Sequence, residues 1–366
     1  MSKKSSHAEL VSASFYRPRN KFGVTNKISL FWKIISPVLL VVSVILALVL
    51  GAEKVSLAAV FGQGDKFENI ILWQLRLPRV LLVFLTGLLL GGSGAVFQLF
   101  FRNPLAEPGI MGISSGATLG AVIASIVPGL MALTGRSGDG AGTFAGIGAL
   151  ISPVNLCAFA GALVAGLFVT SLAFSRGGKS SSVMLLLCGT ALGTLYSSVS
   201  SMLLLTCNKE LHSIYTWILG SFSGRGWNEL LFILLPSAVS IVLMFIVARP
   251  LDLLTGGEKS AAALGVEVDR LRVLVLLCGA LAVSAAVCAG GTIGFVGLIA
   301  PHIVRKFLGP RARTLVPFSM IFGATLLLLS DTFARVVIAP GELPAGIITS
   351  ILGVPFFLAL CLGGRK

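Results

Sequence analysis

From about residue 30 to its C-terminus the chain alternates long apolar stretches with short polar ones. A helix that crosses a bilayer needs about 20 mostly apolar residues. On that measure the pattern predicts ten spans, near 30–51, 80–101, 109–128, 152–174, 183–206, 229–248, 271–289, 292–306, 314–338 and 345–362. The eighth is short, and the third starts within a Gly-rich stretch. The expected fold is an all-α polytopic membrane protein, one ten-helix domain over 29–366. Residues 1–28 are polar and basic without a signal-peptide pattern. They read as a disordered cytoplasmic tail resting on anionic lipid.

The longest charged interruption is RPLDLLTGGEKSAAALGVEVDRLR at 249–272, which holds 8 of the 42 Lys, Arg, Asp and Glu residues. Its middle, Glu258 to Leu264, contains good helix formers, with Gly257 before it and Gly265 after it as start and stop. Two helical turns carried outside the membrane suggest a surface on which a partner can push. Two Gly-rich or polar connections, 52–79 and 129–151, fall on the other side, and the second reads as a surface loop.

Composition fits this picture. The chain is 55% hydrophobic and 11% charged, against roughly 25% charged in a soluble domain. A net charge of +14 could indicate a nucleic-acid partner, but its distribution argues otherwise. With ten alternating spans and a cytoplasmic N-terminus, 20 of the 28 basic residues fall on the cytoplasmic side. That asymmetry is the positive-inside pattern and puts both termini in the cytoplasm. The six cysteines form neither a CxxC nor a Cys/His cluster and read as small apolar fillers, so no metal site is expected. Gly87/Gly91, Gly116/Gly120, Gly189/Gly193 and Gly290/Gly294 are spaced for close helix packing in lipid.

Charges inside the spans are scarce. Asp331 with Arg335 four residues on can pair along one helix face. A proton relay would use several acids at mid-depth, and their scarcity weighs against an ion-coupled transporter working alone. An integral-membrane enzyme is disfavoured too, because His7, His212 and His302 lie in separate segments. Arg76 and Arg79 at the outer end of span two, with Arg335, read either as snorkelling side chains or as a docking surface for a partner's carboxylates. The segment GGKSSS at 177–182 lacks the first Gly of a phosphate-binding loop, since residue 173 is Ala. If ATP drives the protein, another subunit binds it. Three further stretches, 102–121, 290–305 and 341–357, place Pro and Gly where spans should be regular, the last interrupting span ten at Gly353–Pro355. Irregular backbone at membrane depth requires surrounding protein or a water-filled cavity.

The stretches WQLRLPRVLL, RNPLAEPGIMGISSGATLGA, LLLCGTALG, the 251–265 loop, GGTIGFVGLIAPHIVR and ARVVIAPGELPAGIITSILGVPFF occur in this order over about 70–362. Jointly they resemble the permeases of type II ABC importers for iron–siderophore complexes, haem and cobalamin. The resemblance implies a ten-helix subunit of a homodimer or pseudo-dimer in a bacterial or archaeal cytoplasmic membrane, with the path along the subunit interface. It implies two cytoplasmic ATPase subunits that hold ATP and magnesium, and an extracytoplasmic binding protein that delivers the chelate; the chain itself would bind no cofactor and perform no covalent chemistry. By the same resemblance Gly257, Glu258, Ala261, Leu264 and Gly265 would meet the ATPase. Arg76, Arg79 and Arg335 would dock the binding protein. Ser181, Ser182 and Val183 would form the cytoplasmic gate, Val183 departing from the usual Ser/Thr pair. A ferric siderophore or haem is the cargo expected first, cobalamin next.

Overall fold

The computed structural model describes residues 24–51, 53, 56, 64–127, 152–174, 182–206 and 211–363. Helix α1 (Val24–Val49) starts within the expected tail. Then α2 (Lys66–Ile70) passes through a π-helical turn (Ile71–Arg76) into α3 (Leu77–Phe100). A 3-10 turn (Pro108–Met111) leads to α4 (Ile113–Ile126). Next come α5 (Pro153–Phe174), α6 (Ser182–Thr206), α7 (Leu211–Ile218) and α8 (Trp227–Leu254). The short α9 (Glu258–Ala263) precedes α10 (Val268–Gly290), α11 (Val296–Leu308), α12 (Ala312–Val336) and α13 (Ala345–Gly363).

Among the described residues eight helical segments are long and apolar enough to cross a membrane. The expected third and eighth spans correspond to the short helices α4 and α11, of 14 and 13 residues. At 1.5 Å per residue each is about 20 Å long, less than a hydrocarbon core of ~30 Å. Their missing turns are the Pro/Gly segments. Gly112 before α4 has φ +75° and Gly291 before α11 has φ +73°, a region that glycine enters without steric cost. Both breaks line one cavity of about 530 Å³, bordered by Glu107, Ser114, Thr292 and Ser350. Irregular backbone here thus lies beside a cavity, as burial in a membrane demands.

Span ten corrects an expectation. Despite Pro355, α13 is helical without interruption from Ala345 to Gly363. Gly353 serves packing instead: a Cβ there would collide with the ring of Phe295, which enters α11 at φ +68°.

Helices α3, α10 and α12 form the buried centre, with α4, α5, α8 and α11 packed around them. Three of the predicted small-residue pairs, Gly87/Gly91, Gly116/Gly120 and Gly189/Gly193, meet backbone of another segment, whereas Gly290 meets the ring of Phe222 and a Cβ on Gly294 would meet nothing within 4 Å. A Cβ on Gly87 would sit 2.5 Å from the Cα of Ala324, and one on Gly323 would sit 2.9 Å from the Cα of Gly91. These contacts are backbone to backbone and cannot yield by rotating a side chain. Gly87→Leu is therefore expected to wedge α3 from α12 and cost about 1–3 kcal/mol or more. Thermal unfolding in detergent checks it; an unchanged midpoint would show that the two helices are not in register here. Outward faces of α1, α6, α8 and α13 carry many exposed large apolar side chains, as lipid or a second membrane subunit requires.

Candidate functional site

The polar island folds as expected and its ends are defined by glycine. Gly257 takes φ +104° ahead of α9, where a residue with a Cβ would be strained. Glu258 occupies the first helical position, favourable for a carboxylate at the positive end of the helix. The helix stops in a Schellman motif: the N–H of Gly265, at φ +85°, donates to Ala262 O at 3.0 Å and that of Val266 donates to Ala261 O at 3.0 Å.

One residue of α9, Ala261, turns inward and joins the core, while Lys259, Ser260, Ala262, Ala263 and Leu264 face out. Leu264 is 66% exposed, an apolar side chain at the tip of a polar loop. Ties then run to three long helices. Buried Arg272 of α10 donates to Asp269 at 3.0 Å and lies 4.0 Å from Glu258. Asp252, near the end of α8, accepts the backbone N–H of Ala312 at the start of α12. Thus α9 is tied to α8 and α10 through short covalent links and one ion pair, and α8 to α12 through one helix cap. Sequence reasoning overlooked Asp252 and Arg272; their positions in the island, each on a helix flanking α9, were the available signal.

At the opposite end of the bundle the structure brings Arg76, Arg79 and Arg335 together, but buries them. Their exposures are 6%, 8% and 3%. Arg76 donates to the carbonyls of Leu48 at 2.9 Å and Val49 at 2.7 Å, and to that of Glu53, closing the carbonyl end of α1. Arg79 makes a two-pronged contact with Asp331, at 2.9 and 3.2 Å, and another with Glu342, at 2.8 and 3.0 Å. Arg335 pairs with Asp331 at 3.2 Å, one helical turn away as predicted, and donates to Ala47 O at 2.9 Å. The network ties α1, α3, α12 and the turn before α13. Glu342, which the sequence reading missed although it is the one acid in that turn, is the most accessible member. Its side chain is 29% exposed, against 10% for Arg79 and 2% for Asp331. Burial alone would raise Glu342's carboxyl, yet the charge and hydrogen bonds of Arg79 hold it below its ordinary value.

Of the expected gate, Ser181 lies outside the described residues. Ser182 and Val183 begin α6, and only their backbone is described. The acid of the 102–121 stretch, Glu107, reaches the start of α11. It accepts the backbone N–H of Phe295, and a Cβ on Gly297 would lie 3.4 Å from its Oε1. It thus caps a broken helix and borders the cavity.

Residues 39–363 match the FecCD transport family. The chain belongs to the FecCD transport family. Its relatives include the cobalamin import system permease protein BtuC of Halobacterium salinarum, 38% identical over 80% of this chain and 73% of the relative. The hemin transport system permease protein HmuU of Yersinia pestis is 36% identical over 90% of this chain and 95% of its own length. The iron(3+)-hydroxamate import system permease protein FhuG of Bacillus subtilis is 34% identical over 88% and 94%. Among solved structures, an inward-facing conformation of a metal-chelate type ABC transporter is similar at TM-score 0.76 and 32% identity, covering 90% of this chain and 98% of that one. The all-α architecture is accordingly that of an ABC importer permease, two of whose expected spans are short helices beside broken backbone.

Proposed function

We propose that this chain is the permease subunit of an ATP-driven importer of a metal chelate, with a ferric siderophore, haem or cobalamin as cargo. The observation that carries the reading is its similarity, along nearly all its length, to permeases named for those three cargo classes. A separate ATPase holds ATP and magnesium and acts on α9 from the cytoplasm, where both termini lie. A second copy of the chain completes the path. In support, the exposed side of α6 carries Thr190, Thr194, Ser197, Ser198 and Ser201. Most of these hydroxyls donate to their own helix, as Thr194 does to Thr190 O at 3.0 Å and Ser198 to Thr194 O at 2.9 Å. A hydroxyl ladder of this kind suits a wet path between two subunits better than lipid. Ser182 and Val183, assigned to the gate with Ser181 by the family resemblance, begin α6 ahead of that ladder.

Docking of the binding protein on Arg76, Arg79 and Arg335 requires a local exchange, because all three guanidinium groups already have partners. The accessible exchange is at Arg79, where an incoming carboxylate would replace Glu342. Glu342→Gln should then raise affinity for the binding protein by several-fold, since it removes the competing charge and keeps the arginine. Unchanged affinity in a pull-down titration would leave the three arginines as scaffold only.

Co-reconstitution tests the main reading. Proteoliposomes with the chain and its ATPase should take up chelate only with ATP, and not under a proton or sodium gradient alone. Gradient-driven uptake by the chain without an ATPase would make it a secondary transporter.

A further inference from the structure

The same end of the bundle holds a second cavity, of about 400 Å³, bordered by the end of α4, the start of α5, α7 and the turn before α8. Its one charged lining residue is Arg225, and no Asp or Glu borders it among the described residues. The Nε of Arg225 is sealed from water and has no hydrogen-bond partner, and none of the ion pairs among the described residues includes this arginine. The nearest acid in sequence, Glu229, acts on Arg225 through its charge without a hydrogen bond or ion pair to it, and accepts the backbone N–H of Gly226 at 2.9 Å as it caps α8.

A second donor belongs to the wall of the same cavity. Asn155 is 0% exposed, yet its Nδ2 has no partner. The orientation of its amide is fixed by chemistry: Trp217 Nε1, which can only donate, meets the other end of the amide at 3.3 Å. The oxygen must face Trp217, so the NH₂ is the free end. The Nε–H of Arg225 and the NH₂ of Asn155, both without a hydrogen-bond partner, thus lie in the wall of one cavity that no described acid lines, a donor pair suited to acceptor oxygens. Leaving such buried donors without an acceptor is costly, and a ligand oxyanion would recover that cost. A guanidinium also offers the paired donors that a carboxylate matches. The volume lies in the ~300–1,000 Å³ range of small-ligand sites.

We propose that Arg225 and Asn155 form an oxyanion site that takes a carboxylate group of the transported chelate at the outer mouth. The anion site stands on geometry alone; that the carboxylate belongs to cargo rests on the importer reading. Two arms separate these statements.

In the first, the full chain in lipid nanodiscs is titrated with succinate, read by calorimetry and by tryptophan fluorescence, since Trp217 bonds Asn155. Saturable binding is expected. Arg225→Gln should weaken it at least tenfold, Arg225→Lys should weaken it less, and Asn155→Asp should weaken it by placing a competing acid beside the guanidinium. Thermal midpoints establish that each variant is folded, and any one folded variant is sufficient. Absence of saturable binding in the wild type, or equal affinity in the folded variants, would overturn the site. In the second arm, uptake by the reconstituted complex is compared for a ferric chelate bearing free carboxylates and a neutral ferric trihydroxamate. Arg225→Lys should raise KM several-fold for the first and leave the second unchanged. Equal shifts, or none, would overturn the cargo assignment; uptake of neither chelate with succinate binding intact would count against the importer reading and not the site.

Discussion

Arg79→Ala is expected to destabilise the protein by about 3–5 kcal/mol, the cost of breaking a buried ion pair by removing one partner. That is a large part of the ~5–15 kcal/mol that holds a domain together. The substitution deletes four hydrogen bonds and strands Asp331, which is 2% exposed. Arg335 remains beside Asp331 at 3.2 Å, so the carboxylate keeps one cation but loses its two-pronged partner. Arg79→Lys keeps the charge without the fork and should fall between wild type and alanine. Thermal unfolding of the purified chain in detergent checks the series. If Arg79→Ala unfolds at the wild-type midpoint, the cluster is not a scaffold.

Replacing Glu258–Leu264 by a Gly/Ser segment should abolish chelate uptake while the helices still insert and the partner ATPase still hydrolyses ATP. Gly/Ser chains are flexible and hold no helix, so the surface that a partner would push is lost. The spans that flank α9 keep their own apolar cores, and the insertion of α8 and α10 does not depend on α9. Uptake per ATP hydrolysed is the quantity to measure. A near-normal ratio would remove α9 from the coupling path. A milder disruption is Gly265→Val, which forces a β-branched residue to φ +85° and should lower the same ratio several-fold.

Most of the fold was legible in the sequence, because apolar length alone identifies spans in lipid. The small-residue pairs were legible for the same reason: glycine is the residue that lets backbones meet, and Gly87, Gly91, Gly116 and Gly189 all meet backbone of another segment. Window hydropathy could not show that the third and eighth spans are half-helices. Their missing turns are only a few residues long, and a window of about 19 residues averages them with the apolar helix beside them. Nor could Pro355 be read correctly, since its effect depends on whether neighbours accommodate the freed carbonyl.

The sites divide along a similar line. The α9 surface rests on local sequence, two glycines around six helix formers, and its geometry followed the expectation. The arginines rest on tertiary pairing. From sequence alone the Arg335–Asp331 pair was legible from its i,i+4 spacing, but nothing local revealed that Asp331 and Glu342, some 250 residues away from Arg79 in the chain, would also close over Arg79. Conversely, Arg225 was one outside cation among eight, and only the folded neighbourhood shows that it borders a cavity lined by no acid among the described residues.

The central claim is that the ATPase acts on the permease at α9. A photo-crosslinking residue at Leu264, exposed at the tip of that loop, tests it in the assembled complex, with one at exposed Leu219 at the opposite end as control. The account predicts an adduct between position 264 and the ATPase subunit that changes in yield on adding ATP, and none from position 219. An ATPase adduct from 219, or its absence from 264 in a complex that transports, would contradict it.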